Sequence, residues 1–168
     1  MEKYALTGTP GTGKTSVSKL LKEKVISLSN YYEEASVEKT KDGEWLVDIE
    51  KLDRIFEKTE INIFEGNFAH KLDNIDKIIV LRCDPNILKK RLLERGYKKE
   101  KVMENLEAEA IGLIFSESID SVGENNVIQL DTSNTDVESI SKIIEKYIRG
   151  KIKVEEEIDY SEKILDWY

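Results

Sequence analysis

Apolar positions along the chain follow two patterns that take turns. Short, nearly unbroken apolar runs occupy residues 4–7, 25–28, 61–65, 78–83 and 127–130. Runs of that length read as strands covered on both faces. Between them, apolar residues recur at helical spacing. Val17, Leu20 and Leu21 mark a helix over 16–24, and Ile87, Leu88 and Leu92 mark a second one. Val102, Leu106, Leu113 and Ile114 mark a long helix over 98–119, and Val137, Ile140, Ile144 and Ile148 mark another. Strands alternating with helices predict an α/β sandwich: a five-stranded parallel sheet with helices on both faces.

Polar punctuation supports these boundaries. Asp84-Pro85 is a helix cap followed by proline at the first helical position, and Gly96 stops that helix. Thr135 to Glu138 has capping-box spacing and opens the helix that stops at Gly150. A charged stretch over 151–157 then leads to a short amphipathic segment around Ile164, Leu165 and Trp167, which is expected to pack back onto the domain. Residues 29–52 fit the alternation least. Tyr31-Tyr32, a Lys41-Asp42-Gly43 turn and Trp45-Leu46-Val47 read as an insertion between the second strand and the next crossover.

Composition narrows the class. The 168 residues suit one domain, and 39% hydrophobic residues suffice for a core. Charged residues reach 36%, with a net charge of −8. Such a chain is a poor general binder of nucleic acid but suits a basic protein partner. Its single cysteine, Cys83, excludes an intrachain disulfide and reads as a buried, inert thiol in its apolar run. No apolar stretch approaches the length of a membrane span, so a soluble, cytoplasmic protein is expected.

The strongest chemical signal is Gly8-Thr9-Pro10-Gly11-Thr12-Gly13-Lys14-Thr15. Two glycines four residues apart, then lysine and a hydroxyl residue, sit between a strand and a helix. In that context successive backbone N–H groups line one concavity at a helix N-terminus, where anions are favoured. Gly11, Gly13, Lys14, Thr15 and Ser16 are the candidate phosphate contacts, with Lys14 on the outer phosphates and the Thr15 hydroxyl on Mg²⁺.

Three further features bear on the reaction. An Asn-Lys-x-Asp guanine-reading motif is absent from the sequence, which disfavours a small GTPase. Arg91 and Arg95 lie one helical turn apart, with Arg82 upstream, and Arg95-Gly96-Tyr97 runs into Lys98-Lys99-Glu100-Lys101. A cationic helix end followed by a turn suits a lid over transferring phosphates, because guanidinium forks match phosphate oxygens. Glu65 ends the third apolar run, where a carboxylate can hold Mg²⁺-bound water or orient a nucleophile. His70, the only histidine, is a weaker candidate.

Taken in order, the glycine loop, Glu65-Gly66, Val80-Leu81-Arg82-Cys83-Asp84, Arg91-Leu92, Arg95-Gly96-Tyr97, Asn105 and Glu109 resemble the adenylate kinase isoenzyme 6 family, within the P-loop nucleoside-monophosphate kinases. The resemblance runs from the first strand to about Gly150. It implies a P-loop NTPase sandwich, a monophosphate-binding insertion near 29–52 and a lid near 94–104. It further implies ATP as donor, AMP or a related monophosphate as acceptor, and ATP hydrolysis as a second activity. Arg91 would lie near the adenine, Arg95 on the phosphates, and the turn Asp131-Thr132-Ser133 beside the adenine. Lys14, Arg95, Glu65 and Arg91 would thus be the catalytic set. The family also acts in maturation of the small ribosomal subunit, alongside a basic ribosomal protein.

The chain departs from that family at Asn67, where the family has a histidine tied to hydrolysis. Asparagine can bond a water but cannot accept its proton as imidazole does. Hydrolysis is therefore expected to be weak relative to transfer, unless His70 stands in. Two alternatives stay open: an ATP-driven assembly factor, and a small-metabolite kinase with Asp48 or Asp53 as general base.

Overall fold

The computed structural model describes residues 1–41 and 43–167. Five parallel strands form the central sheet: β1 (Tyr4–Gly8), β2 (Val25–Ser27), β5 (Ile63–Glu65), β6 (Lys77–Arg82) and β7 (Val127–Asp131), in the order β2-β5-β1-β6-β7. Successive side chains of a strand point to opposite faces, so each short apolar run feeds two cores. Ala5, Phe64, Ile78 and Val80 enter one buried cluster. Tyr4, Leu6, Ile63, Ile79, Leu81, Ile128 and Leu130 enter another on the opposite face. This two-sided burial is why the strands read as continuous apolar runs.

The helices are α1 (Lys14–Leu20), α2 (Tyr32–Ala35), α3 (Ile49–Phe56), α4 (Pro85–Glu94), α5 (Lys99–Ala110), α6 (Leu113–Val122) and α7 (Val137–Ile148). The first helix starts at the lysine of the glycine loop and ends four residues before the expected position. Beyond it the chain turns extended at Leu21, and the buried Glu145 of α7 accepts the Lys22 N–H at 2.9 Å.

The insertion over 29–52 is a 3-10 turn (Leu28–Tyr31), α2 and an antiparallel pair, β3 (Ser36–Lys39) with β4 (Trp45–Val47), leading into α3. Of the turn expected at its tip, Asp42 lies outside the described residues. Asp48 caps α3 by accepting from the N–H groups of Glu50 and Lys51.

Two sequence expectations are corrected. The long helix over 98–119 is two helices, broken at Ile111-Gly112. Gly112 adopts φ 66°, the left-handed conformation that ends helices and that a side chain disfavours. The break lets α5 pack on α4 while α6 returns to β6 and β7. The apolar spacing runs straight through the glycine and conceals the turn. At the start of α7, the cap is Asp136 and not Thr135. Its carboxylate accepts the Ser139 N–H at 2.8 Å and the Ser139 hydroxyl at 2.9 Å.

A third cluster joins Cys83, Leu88, Leu92, Val102 and Leu106 between α4 and α5, with Trp167 of the C-terminal segment packed on it. The tail thus packs back, as expected, as a 3-10 helix over Ser161–Trp167. Cys83 is fully buried, and that burial pushes its thiol up to about 11, in keeping with an inert role.

One buried ion pair ties these layers together. Arg82 Nε of β6 donates to Glu109 Oε2 of α5 at 3.0 Å. The same guanidinium donates to the Glu109 carbonyl at 2.7 Å and to Gln129 Oε1 at 2.5 Å. Glu109 also accepts the Cys83 N–H at 2.8 Å and the Thr9 hydroxyl of the glycine loop at 3.0 Å. Burial holds the Glu109 carboxyl above its usual range, although Arg82 and the other donors pull it down. Removing one partner of a buried pair strands the other charge. Glu109→Gln should therefore lower unfolding stability by about 3 kcal/mol in urea titration. A change under about 1 kcal/mol would show that the pair is not structural.

Candidate active site

The site is built at the C-terminal edge of the sheet, where β1 ends at Gly8 and the loop delivers α1. The turn is held by the Thr12 hydroxyl donating to Thr9 O at 2.8 Å and by the Val17 N–H on Gly13 O at 3.0 Å. Gly13, at φ 103°, stands directly before the helix in a conformation that only glycine adopts without strain. The amide of Thr15 and the exposed Thr15 and Ser16 side chains open the helix towards solvent. Lys14, by contrast, is buried. Its Nζ donates to Gly8 O at 2.9 Å and Thr9 O at 3.0 Å, folded across the loop's own carbonyls. Burial pulls the Lys14 ammonium down to about 8, with the Glu65 charge opposing and the Arg95 charge adding to that fall.

A cleft of about 360 Å³ lies beside the loop. Gly11, Thr12, Gly13 and Ser16 form one wall, with Arg91, Glu94 and Arg95 of the α4 end and Thr132 and Thr135 of the turn after β7 around the rest. Arg91 faces this cleft but directs its guanidinium at backbone, donating to Gly11 O at 3.3 Å and Thr132 O at 2.7 Å. Thr132 completes the brace: its hydroxyl donates to Thr12 O at 2.7 Å. Arg95 is exposed at the helix end, with Tyr97 N–H bonded back to Leu92 O at 3.1 Å in the tight turn towards α5.

Glu65 ends β5 alongside, buried, and accepts the Ser27 hydroxyl at 2.7 Å. Burial, and then the Glu65 charge, push the Tyr32 phenol up to about 12, which puts this part of the insertion within electrostatic range of the carboxylate. The structure therefore brings Lys14, Glu65, Arg91 and Arg95 to one loop, together with Gly11, Gly13, Thr15 and Ser16. Sequence reasoning placed Tyr32 only within the insertion and Glu94 only at the start of the lid, and it missed Ser27. The signal for Ser27 is its position, since ligands in such sheets collect outside the carboxyl ends of strands.

His70 is held inside the fold. It is buried, with Nδ1 at 2.8 Å from the Thr7 hydroxyl and Nε2 at 3.4 Å from Glu117 Oε1. Burial pulls its pKa below the usual imidazole value, with the Glu117 carboxylate opposing. Its ring thus braces the end of β1 at Thr7, while Asn67 keeps the half-buried position after Glu65-Gly66. Asp48 caps a helix. Asp53 accepts the Asp73 N–H at 2.8 Å, beside Lys3 and Asn74, at the opposite end of the sheet from the loop. Both carboxylates proposed as alternative bases thus serve local structure.

Among the described residues, three or more histidine, cysteine or carboxylate side chains never group as a metal cage. One carboxylate, Glu65, and one hydroxyl, Thr15, are the oxygen groups near the loop that could contribute to a magnesium ion. Among the described residues, too, no helix is long and apolar enough to cross a membrane.

A parallel five-stranded sheet with a glycine loop between β1 and α1 defines a P-loop α/β protein. A family model described as "AAA domain" matches residues 5–112. A shikimate kinase from Acinetobacter baumannii, solved with shikimate, shares the fold at a TM-score of 0.62 and 13% identity, over 91% of this chain and 96% of that one. Sequence relatives are far nearer. The protein named "Putative adenylate kinase" of Methanocaldococcus jannaschii is 39% identical over 98% of this chain and 96% of its own length. Its namesake in Thermococcus gammatolerans is 40% identical over 94% and 92%. The chain belongs to this adenylate kinase family.

The depressed Lys14 ammonium makes a signed prediction. A phosphate anion beside it raises its pKa, so the complex holds a proton that the free chain has partly lost above pH 8. ATP binding should therefore take up protons at about pH 8.5, seen as a buffer-dependent binding heat in calorimetry. Proton release, or no linkage, would contradict the placement of phosphate at Lys14.

Proposed function

We propose that the protein is an ATP-dependent nucleoside-monophosphate kinase, transferring the terminal phosphoryl group of ATP to AMP or a related monophosphate. The observation that carries this reading is the convergence of Lys14, Arg95 and Glu65 on one glycine loop, with the insertion's Tyr32 at Glu65. The names of the relatives point the same way.

In this reading the amides from Gly11 to Ser16 cradle the donor phosphates. Lys14 leaves the Gly8 and Thr9 carbonyls for the outer phosphates. Arg95 offsets charge that spreads over the transferring group, and the 94–104 turn closes over it. Arg91 holds the loop to the Thr132 turn beside the base. Thr15 and Glu65 would hold Mg²⁺, which would neutralise phosphate charge when bound. The insertion over 29–52 presents the acceptor. Asn67 bonds water without taking its proton, so transfer outpaces hydrolysis. A cytoplasmic setting and a basic ribosomal-protein partner for this chain of net charge −8 extend the reading.

With ATP, Mg²⁺ and a panel of monophosphates, ADP should form well in excess of released phosphate for at least one acceptor. Equal amounts for every acceptor would contradict the kinase assignment. Lys14→Ala should reduce transfer about 100-fold or more. Asn67→His, by supplying a base, should raise acceptor-free phosphate release about tenfold or more. An unchanged rate would remove Asn67 as the cause of weak hydrolysis.

A further inference from the structure

The C-terminal segment beyond α7 is fastened to the nucleotide side of the sheet at several separate points. From Gly150 the chain returns along the free edge of β7, where Val154 packs on the core cluster of that face. The Glu156 carboxyl lies beside the backbone amide of Asp131, the last residue of β7. Tyr160 then donates its hydroxyl to Asp131 Oδ2 at 2.5 Å, with its ring 5.6 Å from the buried Arg82 guanidinium. Lys163 pairs with Asp84 Oδ2 at 3.4 Å, and Trp167 closes on the α4–α5 cluster.

These fastenings converge on the turn that walls the cleft. Asp131 uses its other oxygen, Oδ1, to accept the Ser133 N–H at 2.8 Å and the Ser133 hydroxyl at 2.5 Å. Ser133 Oγ in turn accepts the Asp84 N–H at 2.7 Å, which links the turn to the start of α4. Thr132, between Asp131 and Ser133, is the residue whose hydroxyl holds Thr12 O and whose carbonyl receives Arg91. The Asp131 carboxylate is therefore shared: one oxygen shapes the turn, and the other is held by the strap. The hydrogen bonds from Tyr160, Ser133 and the Ser133 amide keep that carboxylate below its usual range, so it is a fixed charge at neutral pH.

We infer that the strap over 151–167 is a positioning element of the nucleotide site, with Tyr160 orienting the Asp131–Ser133 turn so that Thr132 meets the loop and Arg91. It acts from outside: its residues are absent from the cleft wall, and its effect passes through Asp131. The strap sets how well the cleft is pre-formed before nucleotide enters, and so acts on affinity more than on the chemical step. This inference rests on the nucleotide-binding reading of the cleft.

The test compares the full chain with Tyr160→Phe, which keeps the ring on Arg82 and deletes only the hydroxyl. Leu165→Ala, at a position 77% exposed on the same strap, is the control. ATP dissociation constants, KM for ATP and kcat are measured for all three, with amide hydrogen exchange of the empty proteins. Tyr160→Phe should weaken ATP binding and raise KM about 3- to 10-fold, a fraction of what a hydrogen bond to a charged group contributes, because the loss reaches the cleft only through the turn. It should leave kcat within about twofold and speed exchange at Thr132 and Ser133; Leu165→Ala should match the parent in all of these. Unchanged ATP affinity in Tyr160→Phe would overturn the inference, as would an equal loss in Leu165→Ala. If the parent chain binds no ATP, the nucleotide reading itself fails and the strap's role falls with it, an outcome visible before any variant is compared.

Discussion

The Glu109 carboxylate is the point on which the site's geometry depends. A buried carboxylate is tolerated only when its lone pairs are filled, and here three donors from two parts of the chain fill them: Arg82 and the Cys83 amide at the end of β6, and Thr9 in the glycine loop. Each donor fixes one part of the molecule relative to the others. The result is that α5, which follows the arginine-bearing turn, is locked to the strand next to the loop and to the loop itself. Gly112 then becomes necessary, because α5 must stop where Glu109 reaches Arg82 and hand the chain to α6 in a new direction.

The same economy of charge explains how a chain of net charge −8 can build a phosphate site. The positive field is local and made of few parts. Loop amides and a helix N-terminus supply partial charge, Lys14 is withdrawn from water, and Arg95 waits at an exposed helix end. Burial weakens the proton affinity of Lys14, and in the proposed function a phosphate beside it would restore it, which would link nucleotide binding to protonation at this lysine. Arg91 braces the frame, with donors on the Gly11 and Thr132 carbonyls and the Thr132 hydroxyl.

Much of this was legible in the sequence, for reasons that differ between parts. The strands were readable because burial on both faces leaves unbroken apolar runs, and their observed ends fall within two residues of those runs. The loop was readable because its backbone needs glycine at fixed spacing. What escaped notice depends on single polar choices that spacing does not reveal. The helix break at Gly112 sits inside an apolar series, and Asp136 outcompeted the neighbouring Thr135 as cap because its carboxylate reaches both the amide and the hydroxyl of Ser139. His70 looked like a loop residue, yet the 3-10 turn over Ala69–Lys71 swings it inward to Thr7. The tail's contacts with Asp131 and Asp84 span 29 residues and more, and no local pattern announces them.

The central claim is that one cleft, walled by the glycine loop, the end of α4 and the Thr132 turn, receives ATP. Amide hydrogen exchange with and without ATP and Mg²⁺ tests it most directly. Protection should concentrate in three stretches: residues 9–16, the 91–97 segment and 131–135. Protection absent from the loop, or gathered instead around Asp53, Asp73 and Asn74 at the far end of the sheet, would contradict the account.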